Sequence, residues 1–95
     1  VFADIVLLED RGIQKVLHEV DNTILASAMK IAEPQVQERI FKNMNSQAAD
    51  ELREEMASLG TIRLRDSQEA GQQIANVIRR LEQFGEIVVE RPSGE

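Results

Sequence analysis

Ile74, Val77, Ile78 and Leu81 fall three and four residues apart, as residues must to form one stripe along a helix. That spacing recurs along almost the whole chain, and no pair of strongly strand-like segments competes with it. The expected fold is therefore all-α, a compact single domain of about six short helices. At 95 residues the chain has room for one domain. A domain of that size buries roughly two-thirds of the surface its unfolded form exposes, enough for a modest core without staples.

Helix starts and stops divide the pattern into six pieces. The first covers about Phe2 to Leu8, with Phe2, Ile5, Val6 and Leu8 inward. Asp10 is placed to cap the second, which turns Ile13, Val16, Leu17 and Val20 inward. Asp21 is the cap expected for the third, which carries Ile24, Leu25, Ala28 and Met29 and runs to about Ile31. Pro34 suits the first turn of a fourth helix, where its missing N–H is not needed. Val36, Ile40, Phe41 and Met44 form that helix's apolar side. Asn45 or Ser46 caps a fifth helix, and Gly60 stops it. After a short loop, TIRLR, comes a long last helix with Asp66 and Glu69 as a capping box and Gly85 at its end. EIVVE is read as extended, and residues 90–95 as a flexible tail.

Composition narrows the function. The net charge is -6, which argues against binding along a phosphate backbone, since counterion release needs a basic surface. Three Phe with no Trp or Tyr leave little to stack on bases. No nucleic-acid partner is expected; a basic or mixed-charge partner fits better. Without cysteine there is neither a disulfide nor a thiolate metal site, which fits a reducing compartment. No apolar run approaches the roughly 20 residues that span a bilayer. No signal peptide is expected, and a start at Val1 rather than Met is expected of a fragment.

The fifth helix holds the densest charge. In DELREEM, Asp50 to Met56, four of seven residues are acidic, yet Leu52 and Met56 stand four apart. With Gln47 at zero and about 100° per residue, Asp50, Glu51, Glu54, Glu55 and Ser58 fall between roughly -60° and +80°. Ala48, Ala49, Leu52, Met56 and Leu59 cluster between roughly 100° and 200°. The helix is two-faced, with Arg53 to one side. Glu51 with Glu55, and Asp50 with Glu54, are like charges one turn apart, each pair costing a few tenths of a kcal/mol. The helix dipole favours Asp50 and Glu51 but not Glu54 and Glu55. From pattern alone, a charged outward face is most simply a solubility device; a surface kept for a partner is the other reading.

Nothing else in the sequence builds an active site. His18, the only histidine, lies beside Leu17 and Val20 and reads as a surface or partly packed residue. No motif joins it to a nucleophile, and the scattered glycines form no phosphate loop. No catalytic residue, cofactor or metal ligand is assigned, and the chain is not expected to be an enzyme. Glu54 and Glu55, about 100° apart on a helix, cannot easily share one hard cation without help from other segments. Arg63 and Arg65 flank Leu64 just after the acidic helix; they either pair with its carboxylates or form a separate positive spot.

The order VFADIVLLEDRGIQKVLHEVD, AMKIA, RIFKNMNSQAADELREEM, LGTIRLRD and IANVIRRLEQFGEIVV resembles the C-terminal domain of the flagellar motor switch protein FliG, from Val1 to about Val89. Val1-Phe2 looks like the end of that family's Met-Phe-x-Phe hinge motif. The resemblance implies a six-helix terminal piece of a rotor protein on the cytoplasmic face of the inner membrane at the flagellar basal body. It implies no cofactor. Its implied partners are the cytoplasmic loop of the stator protein MotA, neighbouring FliG subunits and other switch-complex proteins. The membrane is approached only through the basal body. Charged residues on one helix would meet oppositely charged stator residues to generate rotation and support switching.

Residue by residue, the resemblance implies stator-binding roles as follows. The basic residue of the family's Ala-Leu-Lys-Gly-Ala segment matches Lys30. The acidic pair of the torque helix matches Glu54 and Glu55, and Asp50 and Glu51 extend the same acidic row. The arginine after the Gly-Pro-Val turn matches Arg63. Gln47 departs from the family, standing where a basic residue is usual. Ile31 replaces a usual Gly and Thr61 a usual Pro. These departures fit a divergent member or a paralog with altered stator pairing. A second reading comes from a similar helical superfold in the cytoplasmic regulatory domains of magnesium transporters. In that reading the acidic face senses a divalent cation.

Overall fold

The structure, a computed structural model, describes residues 1–91. A 3-10 helix (Phe2–Leu7) is followed by α1 (Asp10–Glu19), α2 (Asn22–Met29), α3 (Pro34–Lys42), α4 (Ser46–Leu59) and α5 (Leu64–Gln83). Among the described residues there is no strand, and the expected all-α architecture of six helices is what forms.

The short α2 sits at the centre. Its sequence, NTILASAM, is apolar on most sides, as a helix enclosed by others must be. It packs on α4 and α5, while α5 also meets α1 and the 3-10 helix, and α3 meets the 3-10 helix. Ala26 and Ala28 are fully buried, and their small side chains let neighbouring helices come close. Ile5, Ile13, Val16, Met29, Ile40, Leu52 and Ile74 are also wholly enclosed, so each of the six helices supplies at least one core residue. Each such aliphatic side chain contributes about 1.5–3 kcal/mol relative to exposure.

Several termini form as their residues dictate. Pro34 is the first residue of α3. The Asn45 Oδ1 accepts the Ala48 N–H at 2.8 Å and caps α4. Gly60 stops α4 with φ at 59°, a conformation that favours glycine. Gly85, with φ at 73°, ends α5. There the Glu86 N–H donates to the Leu81 carbonyl at 2.9 Å and the Gly85 N–H to Glu82 at 3.0 Å, a paired closure that satisfies two orphan carbonyls.

Other termini differ from expectation. The first piece is a 3-10 rather than an α-helix. Asp10 does not cap α1 but is its first residue, after Glu9. Its carboxylate instead accepts hydrogen bonds from Arg39 and Asn43, each at 3.1 Å. Asp21 occupies the N-cap position of α2 without a side-chain bond. The Asp66–Glu69 capping box does not form, because α5 begins at Leu64 and puts Asp66 inside its first turn. The Arg63 carbonyl already accepts the N–H groups of Asp66 and Ser67. Leu64 and Arg65 are good helix formers, and a carboxylate in the first turn is favoured by the dipole without capping.

After α5 the chain follows no helix or strand, with Ile87 and Val89 buried and Val88 exposed. The Glu90 N–H donates to the Leu7 carbonyl at 3.2 Å, and Arg91 pairs with Glu82 at 3.1 Å. The rest of the expected tail, residues 92–95, lies outside the described residues.

Candidate functional site

The acidic residues are placed by what lies behind them. On α4, Ala49 and Leu52 are buried, and Met56 and Leu59 are half-buried against the core. With that side fixed, the opposite side faces solvent. Gln47, Asp50, Glu51 and Glu54 are exposed and Glu55 is half-buried. Glu55 lies about 80° round the helix from Gln47, next to the apolar strip, so its methylene stem is partly covered.

Little within the domain neutralises this row. Asp50 pairs with Arg53 at 3.4 Å on the same helix, and Gln47 Nε2 donates to a Glu51 oxygen at 3.4 Å. Among the described residues no ion pair reaches Glu51, Glu54 or Glu55.

The basic residues stand nearby but do not close on the carboxylates. Lys30 follows the last residue of α2 and is exposed. Its Nζ donates to the Met56 carbonyl at 3.3 Å. That carbonyl is available because the Gly60 N–H turns to Ala57 instead. The ammonium thus sits at the negative end of α4, where the dipole favours it. Arg63 is the exposed N-cap residue of α5, beyond the Gly60 turn, and Arg65 is exposed one turn-start later. Neither forms an ion pair among the described residues, so the separate positive spot is the arrangement found. Acid and base therefore lie on adjoining segments, with Lys30 drawn against the acidic helix.

Two contacts escaped the sequence reading. The Arg53 guanidinium lies over the Phe41 ring of α3, 4.4 Å from its centroid. Lys30 reaches α4 through backbone rather than through a carboxylate. Residue spacing carries no signal for either, since both join residues from different helices.

An open cleft of about 510 Å³ is lined by Gln14, Leu17, His18, Asn43 and Met44 among others, with no carboxylate in its lining beside the histidine. Among the described residues no three His, Cys, Asp or Glu side chains converge as cation ligands. No helix among the described residues is long and apolar enough to cross a membrane.

Comparison with known proteins decides the family. The profile of the FliG C-terminal domain matches residues 1–89. The chain belongs to the FliG C-terminal domain family. It is 53% identical over all 95 residues to flagellar motor switch protein FliG of Thermotoga maritima, and 52% identical to that of Borreliella burgdorferi. It spans 28% of the length of each of these relatives. A crystal structure of FliG from H. pylori superposes with a TM-score of 0.90 at 30% identity, covering 94% of this chain and 39% of that one. Full-length FliG from Aquifex aeolicus gives 0.85 at 32% identity, covering 90% and 26%. FliG proteins are motor switch components rather than enzymes, as the sequence reading expected.

The positions expected to depart from the FliG pattern have local structures of their own. Where FliG is expected to carry Gly, Ile31 follows a Lys30 in right-handed helical conformation. α2 therefore unwinds through short-range bonds, Lys30 N–H to Ser27, Ile31 to Ala28 and Ala32 to Met29. No residue other than Gly takes a positive φ among the described residues. Gln47, near the start of α4, leaves the acidic row without a positive end there.

Proposed function

We propose that this domain is a rotor component of the flagellar motor switch, and that α4 is the helix through which it meets the stator. The observation that carries the reading is the row Asp50, Glu51, Glu54 and Glu55. It is held outward by a buried Leu52, and its last three members have no ion-pair partner among the described residues. The partner is the cytoplasmic loop of MotA, presenting positive charge to this row and negative charge to Lys30 and Arg63. Neighbouring copies and other switch proteins hold the domain at the basal body, and it reaches the membrane only through them.

Solvent-exposed charges suit a contact that must form and break as the rotor turns. An exposed pair is worth about 0–1 kcal/mol, whereas burying one costs several. The row steers an oncoming cation over about 8 Å at physiological ionic strength, and less at higher salt. With Gln47 neutral, the contact depends more heavily on the acidic pair.

Reversing Glu54 and Glu55 together to Lys abolishes or greatly weakens swimming, while circular dichroism and the thermal midpoint stay near those of the parent. Normal swimming at normal protein level by that variant refutes the proposal.

A further inference from the structure

The row of carboxylates is useful for transmitting force only if α4 does not turn in place. The outward charges stand about 5–6 Å from the helix axis, so a sideways push on them is also a twist about that axis. Burial of Ala49 and Leu52 sets which face is outward, and a push on the charges works against that seat. Among the helices, α2 is the one on which α4 packs extensively. A load across that one main seat is opposed most directly by a contact placed off its line.

One side contact is placed to add to that resistance. Arg53 lies about 100° round the helix from Glu54. Its guanidinium covers the Phe41 ring at 4.4 Å, and Asp50 holds its edge at 3.4 Å. Phe41 is half-buried against the core at the end of α3, so the ring is itself a fixed point. A planar cation on a ring face is directional. The contact therefore ties α4 to a second helix, off the line of its seat on α2. The Lys30 bond to the Met56 carbonyl adds a hold near the far end of the helix.

We propose that Arg53 is a positioning residue: laid on Phe41, it braces α4 against rolling when force reaches Glu54 and Glu55. The mechanical part rests on the reading of α4 as the stator-facing helix; the brace itself does not.

The test uses the intact protein carrying Arg53→Met, Phe41→Leu, both together, or Phe41→Trp. Hydrogen exchange is read at the α4 amides and compared with α5, and torque is read from tethered or beaded motors at high and low load. Each single substitution speeds exchange in α4 about two- to fivefold, the change a single exposed cation–π contact supports. The double variant goes no further, because the two residues form one interaction. Phe41→Trp, offering a better ring, keeps parental exchange and torque. In the single variants stall torque falls while speed at low load is retained; a loss of protein alone lowers both. Unchanged exchange in α4 overturns the brace. Faster exchange with parental torque at every load overturns its mechanical role. If the Glu54, Glu55 reversal leaves rotation intact, the stator reading fails, and the exchange result still decides whether the brace exists.

Discussion

Ser67 shows how a core position can go unseen beside a misplaced helix start. It is fully buried, and its hydroxyl finds no partner among the described residues. Its place follows from register, since it lies three residues before Ala70 and seven before Ile74, on the stripe that continues to Ile78 and Leu81. Taking Asp66 as the cap makes Ser67 the first helical residue, whereas α5 begins at Leu64 and places it a turn inside the helix. An unpaired buried hydroxyl costs about 1–3 kcal/mol, and Ala is also the better helix former. Ser67→Ala is therefore expected to raise stability by about 1 kcal/mol, seen as a higher urea midpoint with an unchanged slope. A lower midpoint would mean that the hydroxyl has a partner in solution. The charged residues were easier to place, because Asp50, Glu51 and Glu54 need only the position of Leu52 to be sent outward.

At the scale of the element, what was legible followed from local chemistry. Helices marked by Pro34, Asn45, Gly60 and Gly85 start and stop where those residues put them. The starts of α1 and α5 carry no such mark, because Glu9 and Arg63 stand at the N-caps without a side-chain bond. Gly60 matters most for the site, because it separates the acidic helix from Arg63. Its backbone, φ 59° and ψ -143°, lies in a region almost reserved for glycine. An added Cβ there meets nothing within 4 Å, so the penalty for a side chain is conformational. Gly60→Ala should cost about 1–3 kcal/mol, measured by denaturant unfolding. It should also lower motor torque, since relief of the strain redirects the chain that carries Arg63. A variant with parental stability would show that this turn relaxes freely to another conformation.

Across the whole molecule, the helices are joined by contacts that no local pattern announces. Arg39 of α3 donates to the carbonyls of Val6 and Leu8, at 3.3 and 2.9 Å, and to the Asp10 carboxylate. Asn43 donates to the same carboxylate, and Gln14 of α1 donates to Asn43. This network ties α3 to the 3-10 helix and to α1 across about thirty residues of sequence, a separation at which periodicity is silent. The Asn43 hydrogen bond, with that of Arg39 and the positive charge of Arg39 and Lys42, lowers the Asp10 pKa below its ordinary 3.8 against a smaller opposing effect of burial. A carboxyl whose pKa is depressed on folding binds its proton more readily when unfolded, so stability rises with pH. The contribution of Asp10 is complete above its unfolded pKa and disappears as pH falls through the lower folded value. The Asp10→Asn variant should therefore be less stable than the parent at pH 7, with the difference shrinking as the pH drops below about 4. Urea midpoints of the two proteins at pH 7, 4 and 2.5 test this directly, because the other acidic groups are common to both. A gap that stays constant over that range would show that Asp10 acts by its shape and hydrogen bonds, with no part played by its charge.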